Sequence, residues 1–262
     1  MPQFMDDLKN FHSSTTLIDR SVFYLTAAAF FFLPTGTAPP LICIIPALGI
    51  LVLSGRIFTI RTKIHPPWIW PLVLMIMLPW AGLLYVPEIT DVGIDYARKS
   101  HYWLYALVVA LIPGHKAVIP FIARAFLAGL FINTLLALMQ YGGLVTPPSP
   151  SGIQGYFGFG VIYSALSIYL VAGILTASLF FRQTSGPGPK TACLILMALF
   201  LFHISIMDGR NGYLTFILVS PMVAANLVGM LHWKRQVAVC TLFIVFMSFS
   251  PVLQNRIAET VS

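Results

Sequence analysis

"AVIPFIARAFLAGLFINTLLALMQY", Ala117 to Tyr141, decides the fold class of this chain. Arg124 is its single charged residue. About 20 mostly apolar residues wound as a helix match the hydrocarbon thickness of a bilayer. This run meets that length with residues to spare.

The same criterion picks out about nine candidate spans along the chain. They run over Leu17–Leu33, Ala38–Leu53, Trp68–Pro87, Tyr102–Pro113, Ala117–Tyr141, Phe159–Phe181, Thr191–Met207, Tyr213–Leu231 and Val237–Pro251. The second and fourth are short and need tilt or loop residues to complete them. The composition agrees. Of 262 residues, 58% are hydrophobic and 9% charged, against about 25% charged in soluble domains. Such a chain cannot cover itself with a water-compatible surface, so an all-α, polytopic transmembrane bundle is expected, as a single domain over residues 1–262. The net charge of +7 does not indicate nucleic acid, because the Lys and Arg residues are scattered singly rather than clustered on one face.

Loop charge orients the bundle. The N-terminal tail, the even-numbered gaps and the start of the fifth span collect Lys9, Arg20, Arg56, Arg61, Lys63, Lys116, Arg124, Arg182, Lys190, Lys234 and Arg235. The other side holds only Arg98, Lys99, Arg210 and Arg256. Eleven against four is a positive-inside bias, which predicts a cytoplasmic N-terminus and a C-terminus outside. The segment ahead of the first span lacks the positive stretch of a cleavable signal, so Val22–Leu33 reads as part of a retained helix. Trp68, Trp70, Trp103 and Trp233 stand at expected helix ends, as interfacial aromatics do. Pro46, Pro71 and Pro79 fall inside expected helices and predict kinks. Cys43, Cys193 and Cys240 lie far apart in apolar runs and are expected as buried structural thiols.

Few stretches carry chemistry. "SGPGPKT", Ser185 to Thr191, resembles a phosphate loop only superficially: Pro187 and Pro189 have no N–H to offer a phosphate, and the stretch reads as a cytoplasmic turn. "GLVTPPSPSGIQGYFGFG", Gly143 to Gly160, is an uncharged external loop, either a connector or the wall of a lipid- or sugar-lined cleft with Gln154 and Tyr156 as polar contacts. In "EITDVGIDYARKSHYW", Glu88 to Trp103, Asp91 and Asp95 share a helix face and Asp95 pairs with Arg98 or Lys99 at helical spacing; no metal site is expected. His203 reads as a core histidine bonded to a neighbouring helix. "MDGRNGYLTF", Met207 to Phe216, places Arg210 at the external end of a tight connection between two spans. There a guanidinium presents a planar fork of donors suited to phosphate oxygens.

Gly209-Arg210-Asn211-Gly212-Tyr213-Leu214 resembles the G-R-x-G-aromatic-L segment of bacterial O-antigen ligases, within a superfamily that includes O-antigen polymerases. "GYFGFGVIYSALSIYL", Gly155 to Leu170, resembles the entry to that family's sixth helix. The resemblance implies a membrane-embedded glycosyltransferase of the C-type fold in the bacterial inner membrane. Such an enzyme moves a glycan from undecaprenyl diphosphate to lipid A–core at the periplasmic face, with inversion and without metal, nucleotide or other cofactor. It implies that Arg210 binds the donor diphosphate; Arg98 and Lys99, as the other cations on the external side, and Arg256 are further candidate contacts to an anionic headgroup. It places the general-base histidine in a large periplasmic loop after the ninth span, which lies beyond Ser262. The chain is therefore expected to be an incomplete, N-terminal portion with no catalytic base of its own, inactive by itself. The alternatives are an O-antigen polymerase using the same donor, and a membrane transporter; scarcity of charge at mid-span argues against ion coupling.

Overall fold

The computed structural model describes residues 2–36, 38–55, 69–85, 90–112, 118–146, 156, 158–159, 163–207, 210–229 and 232–248. Among these the chain is all-helical: α1 Pro2–Ser14, α2 Leu17–Phe32, α3 Ala38–Leu53, α4 Ile69–Gly82, α5 Asp91–Arg98, α6 Tyr102–Leu111, α7 Val118–Tyr141, α8 Tyr163–Gln183, α9 Pro187–Ser205, α10 Arg210–Val228 and α11 Trp233–Ser248. Among the described residues, four stretches are long and apolar enough to cross a membrane: Leu17–Thr35, Val118–Tyr141, Ala165–Gln183 and Pro187–Ser205. The protein is accordingly a multi-pass membrane protein. Of the other expected spans, α3 and α4 are apolar but have only 16 and 14 residues. α6 has 10 residues, about 15 Å of helix, half of the hydrocarbon thickness.

Several boundaries differ from the sequence expectation. α9 starts at Pro187, so the expected turn at Ser185–Thr191 is largely the first turn of a helix. Proline suits that position because its missing N–H has no intrahelical partner there. The helix of the sixth span is described from Tyr163, and Gly158 and Phe159, where that span is expected to begin, form a turn instead. Pro46, Pro79 and also Pro221 lie inside helices, whereas Pro71 falls in the first turn of α4, where no kink is required. Trp70, Trp103 and Trp233 are exposed at the starts of α4, α6 and α11, as expected of interfacial aromatics; Trp68 lies outside the described residues. Cys43, Cys193 and Cys240 are free and only half-buried, not core thiols. A spanning helix turns one face to lipid, so a small apolar thiol satisfies that face as well as a core.

The chain divides into two compact units, Met1–Ala29 with Pro40–Ile122, and Phe30–Pro39 with Ala123–Ser262. In the first unit, α1 is a helix that composition did not suggest. Phe4, Leu8 and Phe11 repeat at i, i+4 and i+7, the spacing of one helical face. Phe11 is fully buried and packs 4.7 Å, ring to ring, from Phe23 of α2. Arg20 donates to the carbonyls of His12 and Thr15, covering the orphan acceptors at the end of α1. α2 opens on a reciprocal cap: Thr16 donates N–H and Oγ1–H to the Asp19 carboxylate, while Asp19 N–H donates to Thr16 Oγ1. Further along this unit, Trp80 Nε1–H donates to Ser100 Oγ at 3.0 Å.

In the second unit α8 is the central helix. Leu166, Leu170, Ile174 and Ala177 form its buried stripe, packed with Leu130 of α7, Phe200 and Ile204 of α9, and Phe216 and Val223 of α10. Small residues bring the backbones together, as membrane helices require when hydrophobic burial no longer separates protein from solvent. A Cβ on Gly173 would overlap Leu130 of α7 and lie 3.1 Å from Phe200 of α9. A Cβ on Gly212 of α10 would lie 2.5 Å from that of Ser167. At the other end of that pair, Asn226 donates to Ser178 Oγ at 3.0 Å, so α8 and α10 run parallel. Arg124 near the start of α7 lies over the Phe180 ring at the end of α8, and Lys190 at the start of α9 lies over Phe181. These cations mark one end of the unit; the polar cluster described next marks the other.

Candidate functional site

Near the C-terminal ends of α7 and α9 the structure buries Asn133, Thr134, Gln140 and His203. In an apolar bundle such groups need partners, since an unsatisfied polar atom has no water to turn to. The partner here is a piece of the expected external loop. Gln140 Nε2–H donates to Gly158 O at 2.8 Å, and Gly158 N–H donates to Gln140 Oε1 at 2.9 Å. One side-chain amide thus takes both backbone groups of one residue, as a neighbouring strand would. Phe159 N–H donates to Asn133 Oδ1 at 3.0 Å. Asn133 and Gln140 are two helical turns apart, about 10 Å along α7. The segment therefore descends along the helix rather than passing over its end.

Gly158 is required at the bottom of this turn. Its φ of +76° belongs to the left-handed region, and a Cβ would overlap the Asn133 side chain and approach the Asn133 carbonyl oxygen at 2.7 Å. His203 supplies the remaining link. Its Nε2 lies 3.1 Å from the Tyr156 carbonyl and its Nδ1 lies 3.0 Å from Thr134 Oγ1. A carbonyl only accepts, so Nε2 carries the hydrogen and Nδ1 accepts from the threonine hydroxyl. Both ring nitrogens are engaged. His203 is the core histidine expected from sequence, hydrogen-bonded to the neighbouring α7. Around it, Tyr141, Tyr156 and Phe202 meet edge to face, with centroids 5.3 and 6.0 Å from Tyr141 to the other two rings.

The start of α10 sits at this same end. Tyr213 Oη–H reaches the carbonyls of Ile204 and Met207, at 3.2 and 3.0 Å, closing the end of α9. Gly212 lies against Ser167. Two residues of the Gly209–Leu214 motif thus have a packing role. Arg210 is the first residue of α10; its side chain lies outside the described residues, as do Asp208, Gly209, Gln154 and Arg256.

Arg98 and Lys99 are exposed and belong to the first unit, whereas Arg210 belongs to the second. α5 carries Asp91 in its first turn and Arg98 in its last, the arrangement that complements a helix dipole. Thr90 Oγ1 caps it by accepting from Gly93 N–H at 3.2 Å. Among the described residues no three His, Cys, Asp or Glu side chains converge as metal ligands do. The amide clamp of Asn133 and Gln140 was not foreseen from sequence; polar residues buried late in an apolar span are its only local signal. No family model matches the chain, and no curated protein or solved structure matches it either.

Proposed function

We propose that this chain is an O-antigen ligase-like membrane protein that receives undecaprenyl-diphosphate-linked glycan at the periplasmic face of the bacterial inner membrane. In that reading Arg210 holds the diphosphate and lipid A–core is the acceptor. The observation that supports it most is the anchoring of the start of α10. Gly212 against α8 and Tyr213 on the last carbonyls of α9 fix the helix on which Arg210 is the first residue. A helix N-terminus and a guanidinium both favour an anion, and a fixed support lowers the ordering cost of binding it.

The test is binding of undecaprenyl diphosphate to the purified chain in lipid nanodiscs. Charge-assisted hydrogen bonds contribute about 1.5–3 kcal/mol, so Arg210→Ala is expected to weaken binding about 10- to 100-fold. Arg210→Lys keeps the charge but loses the fork and falls between the two. Equal affinity of the wild type and Arg210→Ala would remove the arginine from the site.

The orientation is tested separately. With Cys43, Cys193 and Cys240 replaced by alanine, single cysteines at Leu144, after α7, and Ser185, between α8 and α9, should react with an impermeant thiol reagent from opposite sides. Leu144→Cys should react from outside. Labelling of both from one side contradicts the proposed topology.

A further inference from the structure

We propose that Tyr141, Tyr156 and Phe202 form a stacking platform for a pyranose ring, held in place by the Gln140–Gly158 and His203–Tyr156 hydrogen bonds. The inference rests on the reading of this end as the glycan-bearing face and adds which part of the ligand it grips. Tyr141 ends α7, Tyr156 lies in the loop and Phe202 lies on α9, and the Tyr141 ring stands at 85° to each of the other two. Tyr141 is 54% exposed and Phe202 is 38% exposed, so the corner they make is open. A sugar presents a face of C–H groups carrying partial positive charge, which the negative face of an aromatic ring attracts. Its hydroxyls keep their bonds to water or to the tyrosine hydroxyls at the rim.

Interfacial aromatics that merely anchor a helix need no fixed geometry. Here the backbone carrying Tyr156 is tied at Tyr156 O, Gly158 N, Gly158 O and Phe159 N to three buried side chains. Fixing a loop before it meets its ligand is how a site lowers the cost of binding.

The experiment compares two probes on the chain in nanodiscs: bare undecaprenyl diphosphate, and the same lipid carrying a disaccharide. Tyr141→Ala and Tyr156→Ala are expected to weaken the glycosylated lipid about three- to tenfold and to leave the bare lipid unchanged. Tyr156→Phe, which keeps the ring, restores wild-type binding. Arg210→Ala weakens both probes. If the tyrosine variants weaken both lipids equally, or neither, the platform is overturned while the arginine reading stands. If the wild type binds neither lipid, the diphosphate reading fails, and saturation-transfer NMR with the free disaccharide decides the platform. Transfer to the sugar that Tyr141→Ala abolishes supports it; no transfer from the wild type overturns it.

Discussion

Gly129→Ala should cost about 3 kcal/mol or more and prevent recovery of a monodisperse protein. A Cβ built on Gly129 of α7 would overlap the Phe31 carbonyl oxygen and lie 2.7 Å from the Phe31 carbonyl carbon, in the last turn of α2. Both atoms are backbone, so no rotamer change relieves the clash; one helix must move. Over-packing in a well-packed core costs about 1–3 kcal/mol when side chains can adjust. A backbone obstacle belongs at or beyond the top of that range. Gly49→Ala is the internal control. It lies within α3, nothing approaches its built Cβ within 4 Å, and alanine there should gain about 0.5–1 kcal/mol from helix propensity. Thermal unfolding in mild detergent measures both. Similar midpoints for Gly129→Ala and Gly49→Ala would mean that α7 and the end of α2 are not in backbone contact.

Gln140→Ala should destabilise the second unit by about 2 kcal/mol, with the loss concentrated in the segment around Gly158. The substitution removes one donor and one acceptor at once and leaves the Gly158 N–H and C=O without their partner. A buried group left unsatisfied costs about 1–3 kcal/mol. Hydrogen bonds between membrane helices measure lower, about 0.6 kcal/mol on average, so a doubled bond is placed near the middle. Gln140→Met discriminates amide recognition from mere size. The thioether side chain fills a similar volume but has no donor for the Gly158 carbonyl and only a weak acceptor for its N–H, so it should be little better than alanine. Hydrogen exchange at Gly158 and Phe159 reports this directly, and about 2 kcal/mol corresponds to roughly 30-fold faster exchange. Unchanged exchange in Gln140→Ala, or wild-type stability in Gln140→Met, would dissolve the clamp.

How far the residues announced this structure depended on the range of the interaction. Val118–Tyr141 was legible because the bilayer acts as a solvent: every residue contributes to the transfer cost on its own, so composition over a window suffices. The same holds for α2, α8 and α9. Pro187 misled because its neighbours Ser185, Gly186, Gly188 and Pro189 have the composition of a turn, although proline is tolerated at a helix start. α1 is hidden in the sequence for a different reason. Its Asp6, Asp7 and Lys9 dilute the average, and its apolar face acquires meaning only when Phe11 meets Phe23 and Arg20 reaches the last carbonyls of the helix.

At the candidate site, the sequence marks His203 as a core group and Arg210 as the cation of interest, whereas Asn133 and Gln140 stand there only as polar residues late in an apolar span. Only the tertiary structure pairs Gln140 with Gly158, 18 residues away, and Asn133 with Phe159, 26 away. Hydrophobic transfer is a sum over single residues and can be read along the chain. A hydrogen bond needs two particular atoms within about 3 Å, and which backbone group a buried amide meets is settled by how helices pack, a property of no single stretch of sequence.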